Sequence, residues 1–100
     1  MRILCWNVRG LGSFMKKGIV KKLVIENQIQ MLLLQETKLE KVEYSMVQSL
    51  WADENFEWVS SASKGRSGGL ITMWDKSSFK VEQSFNIDCC LMIVGVLGHA

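Results

Sequence analysis

Two polar side chains that follow apolar runs are the residues best suited to chemistry in this sequence. Asn7 follows the run at residues 1–6, and Glu36 comes shortly after the run at residues 29–34. A carboxylate and an amide that lie together can hold a hard divalent cation and a phosphate oxygen. Judged by position alone, a solvated carboxylate and a turn-forming asparagine are the commoner roles for such residues. The spacing alone therefore favours these structural roles.

The two apolar runs predict neighbouring parallel strands that bring these side chains together. Residues 1–6 and 29–34 are rich in Ile, Leu and Met and show no polar alternation. That pattern is typical of strands covered on both faces of a sheet. A helix between two such strands makes a crossover connection, so the strands are parallel. Asn7 and Glu36 should then lie at the same end of the sheet, where α/β folds bind ligands.

The order of predicted elements indicates an α/β fold, βαβα followed by antiparallel strands. Apolar positions from Phe14 to about Asn27 recur at helical spacing, and Ser13 is a candidate N-cap. Gly68 and Gly69 predict a tight bend. The remaining predicted elements are a helix at 40–51 and strands at 58–62, 70–74, 79–85 and 90–97.

Composition limits the chain to one small domain of modest charge. It has 100 residues, 48% of them hydrophobic, and a formal net charge of +2, so it is neither disordered nor a nucleic-acid binder by charge alone. No apolar run is long enough to span a membrane, and no membrane partner is expected. Cys89 and Cys90 are neighbours on a predicted strand and make a poor disulfide pair, while Cys5 lies in a strand predicted to be buried. Reduced thiols predict an intracellular setting, nuclear or cytoplasmic.

Three motifs in this order resemble the endonuclease/exonuclease/phosphatase superfamily, which has the deoxyribonuclease-I-like fold. They are residues 6–12 (WNVRGLG), 34–38 (LQETK) and 68–74 (GGLITMW). The residues of the first two motifs resemble those of the endonuclease domain at the N-terminal end of plant non-LTR retrotransposon polyproteins. The resemblance implies that residues 1–100 are the amino-terminal half of a two-sheet α/β sandwich, a partial domain truncated at its C-terminus.

The same resemblance implies a DNA endonuclease that depends on Mg²⁺ or Mn²⁺. In the family, the glutamate that matches Glu36 binds the metal ion, and the asparagine that matches Asn7 orients the phosphate and the catalytic carboxylate. Both are therefore expected as catalytic and metal-site residues. Arg9 and Lys38 are expected to contact the DNA backbone, with solvated rim charges as the alternative. One carboxylate and one amide leave Mg²⁺ mostly hydrated, so weak binding is expected.

Other groups that the family uses have no match in the sequence. These are an aspartate that orients water, an Asp-x-Asn pair and a late Asp/His pair, and His99 is expected to be unpaired rather than catalytic. Because removing members of a catalytic set costs orders of magnitude in rate, the chain is expected to be inactive alone. The alternatives are a non-catalytic remnant or binding module, or a phosphatase-type member of the superfamily. An uncovered sheet face predicts self-association.

Overall fold

The computed structural model describes residues 1–65, 67–87 and 90–98, in which the strands form two sheets. The predictions for Cys89 and His99 fall outside the described residues. None of the described helices has the length and apolar character to cross a membrane. In chain order, the elements are β1 (Ile3–Asn7), α1 (Phe14–Glu26), β2 (Met31–Gln35), α2 (Tyr44–Gln48), β3 (Phe56–Ser61), β4 (Leu70–Asp75), β5 (Phe79–Ile87) and β6 (Cys90–Leu97).

The first sheet has four strands in the order β1-β2-β4-β3. Strands β1 and β2 are neighbours and parallel, in a register that pairs Asn7 with Gln35, as predicted. The pairs β2/β4 and β3/β4 are antiparallel. Since β2 lies between two other strands, its side chains are buried or half-buried on both faces up to Leu34. The uninterrupted apolar run of this strand is explained by that central position.

Strand β1 lies at the edge of the sheet, so the prediction that it is buried on both faces is wrong. Its burial alternates: Leu4 and Trp6 pack against the core, whereas Ile3 and Cys5 are exposed. The exposed residues share the sheet face that points away from the core, and no described element covers that face at β1. The predicted burial of Cys5 is wrong for the same reason.

One face of the four-stranded sheet and the two helices enclose the core. The helix α1 begins as predicted at Ser13, whose Oγ accepts the N–H of Lys16 at 3.1 Å. Its buried residues Val20 and Val24 lie four positions apart and therefore share one stripe. The core side chains are Val8, Leu11, Val20, Val24, Leu32, Leu34, Val47, Leu50, Trp51, Phe56, Ile71 and Met73.

The second helix is shorter than predicted, covering Tyr44–Gln48 instead of residues 40–51. The carbonyl of Leu39 accepts the N–H of Ser63 at 2.8 Å, and Glu43 is extended with φ −115° and ψ 160°. Glu43 is therefore the N-cap and not a helical residue, and its carbonyl accepts the first N–H groups of the helix. Apolar side chains predicted for this helix are nevertheless in the core: Val47, Leu50 and Trp51.

The second sheet is the antiparallel hairpin of β5 and β6, with a register shift between Val81 and Gln83. The strand β6 packs against β3 and β4. The ring of Phe79 meets that of Trp74 edge-on, with centroids 6.1 Å apart. The outward face of the hairpin carries exposed apolar side chains: Phe85, Met92, Val94 and Val96. An uncovered apolar face therefore exists, and self-association through it stays a prediction.

Candidate functional site

Asn7 and Glu36 meet at the rim of the four-stranded sheet. Asn7 ends β1 and pairs with Gln35, which ends β2, so Glu36 is the first residue beyond the paired strands. The N–H of Val8 donates to the carbonyl of Gln35 at 3.0 Å and continues the ladder past Asn7. The Nδ2 atom of Asn7 donates a hydrogen bond to Oε2 of Glu36. The structure thus brings together the two side chains that the sequence placed at one rim.

The partners of Asn7 determine which way its amide points. The backbone N–H of Arg9 donates to Oδ1 of Asn7 at 3.2 Å, and a backbone N–H can only donate. A carboxylate can only accept, so the Oε2 atom of Glu36 requires the Nδ2 side of the amide. Asn7 therefore holds the carboxylate in place with its nitrogen, and its oxygen is already engaged. This favours an orienting role for Asn7 and leaves Glu36 as the better candidate to bind a cation.

An unusual concentration of left-handed backbone marks the same rim. The non-glycine residues with positive φ in the described chain are Arg9 (51°), Gln28 (51°), Glu36 (51°) and Lys38 (58°). All of them except Gln28 belong to the two rim segments. Each such residue costs on the order of 1–3 kcal/mol and persists where its surroundings impose it, most often at functional sites. No feature of residue type predicts these positions, so this signal was not visible in the sequence.

Hydrogen bonds on both sides hold the strained turn at residues 36–38, here called the Glu36 turn. On one side, the N–H groups of Gly10 and Leu11 donate to carbonyls of the turn at 2.7 and 2.9 Å. On the other side, N–H groups of the turn donate to the carbonyls of Gly69 and Gly68 at 3.1 and 2.9 Å. The loops of three motifs therefore meet at this turn and fix the backbone that carries the Glu36 carboxylate.

Gly69 lies so close to the Glu36 turn that a side chain would not fit. Its φ is +96°, and a Cβ there would collide with the hydroxyl of Thr37 and stand 3.1 Å from the backbone nitrogen of Lys38. Thr37, the central residue of the turn, is fully buried. Gly68 also has a positive φ, of 80°, but a Cβ there would meet open space. The predicted bend is present, and Thr37 is a supporting residue that the motif alone did not single out.

Arg9 and Lys38 both lie at this rim with exposed side chains. The Lys38 stem passes over Gly10, where a Cβ would lie 3.7 Å from its Cδ. Within the described chain, neither Arg9 nor Lys38 forms a salt bridge, so both charges remain open to an anion. Their contact with DNA stays a prediction, and the structure places them at the same rim as Asn7 and Glu36.

The donor set at the rim suits a cation shared with a phosphate better than a cation held by protein alone. Across the part of the chain that the structure describes, no group of three or more His, Cys, Asp or Glu residues could enclose a metal ion. Mg²⁺ commonly keeps several waters and binds one or two carboxylates together with substrate phosphates. The exposed carboxylate of Glu36 is compatible with that mode of binding.

The opposite end of the sheet has a cavity, and the hydrogen bonds of Asp75 at its edge indicate a structural role for that carboxylate. A cavity of about 590 Å³ there is lined by residues that include Gln30, Asp53 and Asp75. The carboxylate of Asp75 accepts from Asn55 Nδ2 at 2.7 Å and from Ser78 Oγ at 2.9 Å. The bond from Ser78 closes the turn that links β4 to β5, and the bond from Asn55 connects that turn to the start of β3, so the role of Asp75 is structural. The residues that the sequence predicts for the site lie at the rim and not at this cavity.

Comparison with known proteins identifies the fold. No protein-family model and no curated protein matches the chain. Among solved structures, it is similar to the AP endonuclease LMAP from Leishmania major, with a TM-score of 0.58 and 23% identity over 75% of this chain and 24% of that one. It is also similar to the APE2 catalytic domain from Xenopus laevis, with a TM-score of 0.56 and 21% identity over 85% of this chain and 26% of that one.

The chain has the deoxyribonuclease-I-like fold. The predicted fold class and superfamily resemblance are therefore confirmed at the level of fold, and the chain spans about a quarter of the length of either structure, 24% and 26%. Identities of 23% and 21% carry no residue roles across. The resemblance to retrotransposon endonucleases is not tested by these matches.

Proposed function

We propose that this chain is the amino-terminal part of a DNA endonuclease domain of retrotransposon origin that depends on Mg²⁺ or Mn²⁺. The observation that carries the proposal is the hydrogen bond between Asn7 and Glu36 on a strained, doubly supported rim. The motif wording supports the nuclease branch, and the two similar structures are AP endonucleases.

Each rim residue has a distinct role in this proposal. Glu36 holds the ion, and Asn7 fixes the carboxylate and donates to a phosphate oxygen. Arg9 and Lys38 neutralise the flanking phosphates of the DNA backbone. The ion, when bound, stabilises negative charge on the phosphoryl oxygens and on the leaving group.

The openness of the rim favours a polymeric substrate over a small phosphate ester. Asn7 and Glu36 are both exposed, whereas sites for small ligands usually enclose most of the ligand surface. A long DNA strand can lie across such a rim and obtain its affinity from many backbone contacts. This consideration ranks the nuclease above the phosphatase-type alternative.

A second candidate is that residues 1–100 bind but do not cleave. The described residues contain no cluster of three or more metal-binding side chains, and hydrolysis also needs a group that activates water. On this proposal the isolated chain binds Mn²⁺ weakly and leaves plasmid DNA intact.

The test is a titration of the 100-residue chain with Mn²⁺. Binding is measured by the electron paramagnetic resonance signal of the free ion. Glu36→Gln keeps the shape and removes the charge, so it should abolish specific binding. Glu57→Gln removes an exposed carboxylate on β3 and serves as the matched control, with binding unchanged. Binding that is tight and survives Glu36→Gln would show that the ligands are misassigned. A plasmid-nicking assay on the same samples should show no cleavage, because the chain is expected to be inactive alone. Nicking that is lost in Glu36→Gln would overturn that expectation and the binding-module alternative together.

A further inference from the structure

Phe14 and Met15, the first two residues of α1, are unusually exposed for apolar side chains. Their exposed fractions are 93% and 76%, the highest among the large hydrophobic residues that the structure describes. Scattered single apolar residues on a surface are normal, but these two are adjacent and begin a helix. The Cα–Cβ bonds of a helix lean towards its N-terminus, and the N-terminus of α1 is the end that follows β1 and the rim.

The start of α1 is fixed to the rim segment that carries Asn7. Lys16 Nζ donates to the carbonyl of Val8 at 2.7 Å, immediately after Asn7. The Ser13 cap holds the same helical turn. Phe14 and Met15 are therefore presented by a rigid element beside the candidate site, so little ordering entropy remains to be lost when they bind a partner.

Positive charge accompanies the exposed pair. Phe14, Lys17, Gly18, Lys21 and Ser49 line one groove of about 250 Å³. The helix has no acidic residue in its first turn, and its N-terminus carries the positive end of the helix dipole. The exposed apolar side chains at the start of α1 can pack against the bases of DNA. The lysines beside them complement the negative charge of its backbone. An anionic membrane shares this chemistry, but the adjacent Asn7–Glu36 pair favours DNA.

We propose that Phe14 and Met15 form a wedge that inserts against the bases of duplex DNA, while Lys17 and Lys21 contact the backbone. Apolar wedges of Phe, Met or Leu are a general way to unstack a base step and bend a duplex. The proposal rests on the proposed function, because it names how the same site takes its substrate. The bend would bring the backbone towards Asn7 and Glu36.

The test is binding of a duplex that carries 2-aminopurine, whose fluorescence rises when it is unstacked. The double variant Phe14→Ala/Met15→Ala is expected to bind about tenfold more weakly, the usual size of a lost base-stacking contact. It should also lose the fluorescence rise, and its salt dependence should be unchanged. Lys21→Gln should lower the slope of log affinity against log salt by about one. Ile25→Ala, at a 50% exposed apolar position on the last turn of α1, is the matched control and should bind normally.

Several results would overturn the wedge. They are a wild-type chain that does not bind the duplex, a double variant that binds as well as wild type, or an equal loss in Ile25→Ala. If the double variant loses binding to anionic vesicles but not to DNA, the wedge proposal is overturned in favour of a membrane surface. Mn²⁺ binding separates this failure from failure of the proposed function, because the double variant should keep it. If Glu36→Gln leaves Mn²⁺ binding intact while the double variant loses DNA, the metal site fails and the wedge stands.

Discussion

The helix-covered face of the first sheet and the outward face of the hairpin consist of similar residues in opposite environments. Leu32 and Met73 in the first are 0% exposed, whereas Met92 and Val96 in the second are 51% and 50% exposed. What differs is the covering element, since α1 and α2 pack on the first face and no described element packs on the second. An apolar pattern thus predicts that one face of a strand packs against another element. It does not predict which element packs there.

The candidate site belongs to the covered region. Glu36 directly follows β2, a central strand, and hydrogen bonds from two loops hold the Glu36 turn. The hairpin packs on β3 and β4, the two strands furthest from β1 in the order of the sheet. Loss of order in the hairpin should therefore leave the geometry of Asn7 and Glu36 largely intact.

The largest effect is expected from a cavity in the covered face. Leu32→Ala should lower the free energy of unfolding by about 2–5 kcal/mol, because its side chain is fully buried on a central strand. Val94→Ala on the hairpin should cost less than about 1 kcal/mol, since this side chain already contacts water. Urea unfolding monitored by tryptophan fluorescence measures both. Equal costs would contradict the contrast between the two faces.

The next effect concerns the support of the site. Gly68→Ala should cost about 1–2 kcal/mol through its left-handed backbone alone. Gly69→Ala should cost at least about 1 kcal/mol more, because its Cβ would also collide with Thr37. The difference between the two variants in urea unfolding isolates the collision. If the two variants are equally stable, a Cβ at position 69 does not collide with Thr37 in solution.

A smaller effect is expected at the start of α1. Ser13→Ala removes the side-chain acceptor for the N–H of Lys16 and should cost about 1 kcal/mol in unfolding free energy. Ser13→Asp keeps an acceptor and should restore most of that stability. A loss of the same size in Ser13→Asp would show that the cap does not stabilise the helix.

The smallest effect on unfolding is expected on the hairpin, together with a clear change in association. Val96→Lys should alter the free energy of unfolding by no more than about 0.5 kcal/mol, as for other exposed positions. It should nevertheless lower self-association in sedimentation velocity, because it interrupts the exposed apolar face. Gln83→Lys adds the same charge on that face without removing an apolar group. If it disperses the chain equally, charge repulsion and not apolar contact is responsible.

The first part of the fold was predictable because its determinants are local. The Ser13 cap and the spacing of Val20 and Val24 in α1, and the apolar run of β2, each indicate their own element. Two such elements in sequence then predict parallel neighbours and place Asn7 and Glu36 at one rim. The edge position of β1 was not predictable, because it depends on β4 occupying the other side of β2.

Other errors arose where distant contacts override the local pattern. The spacing of Val47 and Leu50 correctly predicted their burial, but the segment before the helix is held by the bond between Ser63 and Leu39, and the helix begins only at Tyr44. For the site, residue type and motif identified Glu36 and Asn7. The left-handed turn and the close approach of Gly69 to Thr37 required the assembled backbone, since neither follows from the composition of one segment.

The most direct test of the central claim is to locate bound Mn²⁺ by paramagnetic broadening in amide NMR spectra of the 100-residue chain. Broadening at low Mn²⁺ should appear first at the Glu36 turn, Asn7, Arg9 and Gly69, and it should vanish in Glu36→Gln. Residues around Asp53 and Asp75 at the opposite end of the sheet should stay sharp. Broadening centred on Asp53 and Asp75, or unchanged by Glu36→Gln, would contradict the assignment of the rim as the metal and phosphate site.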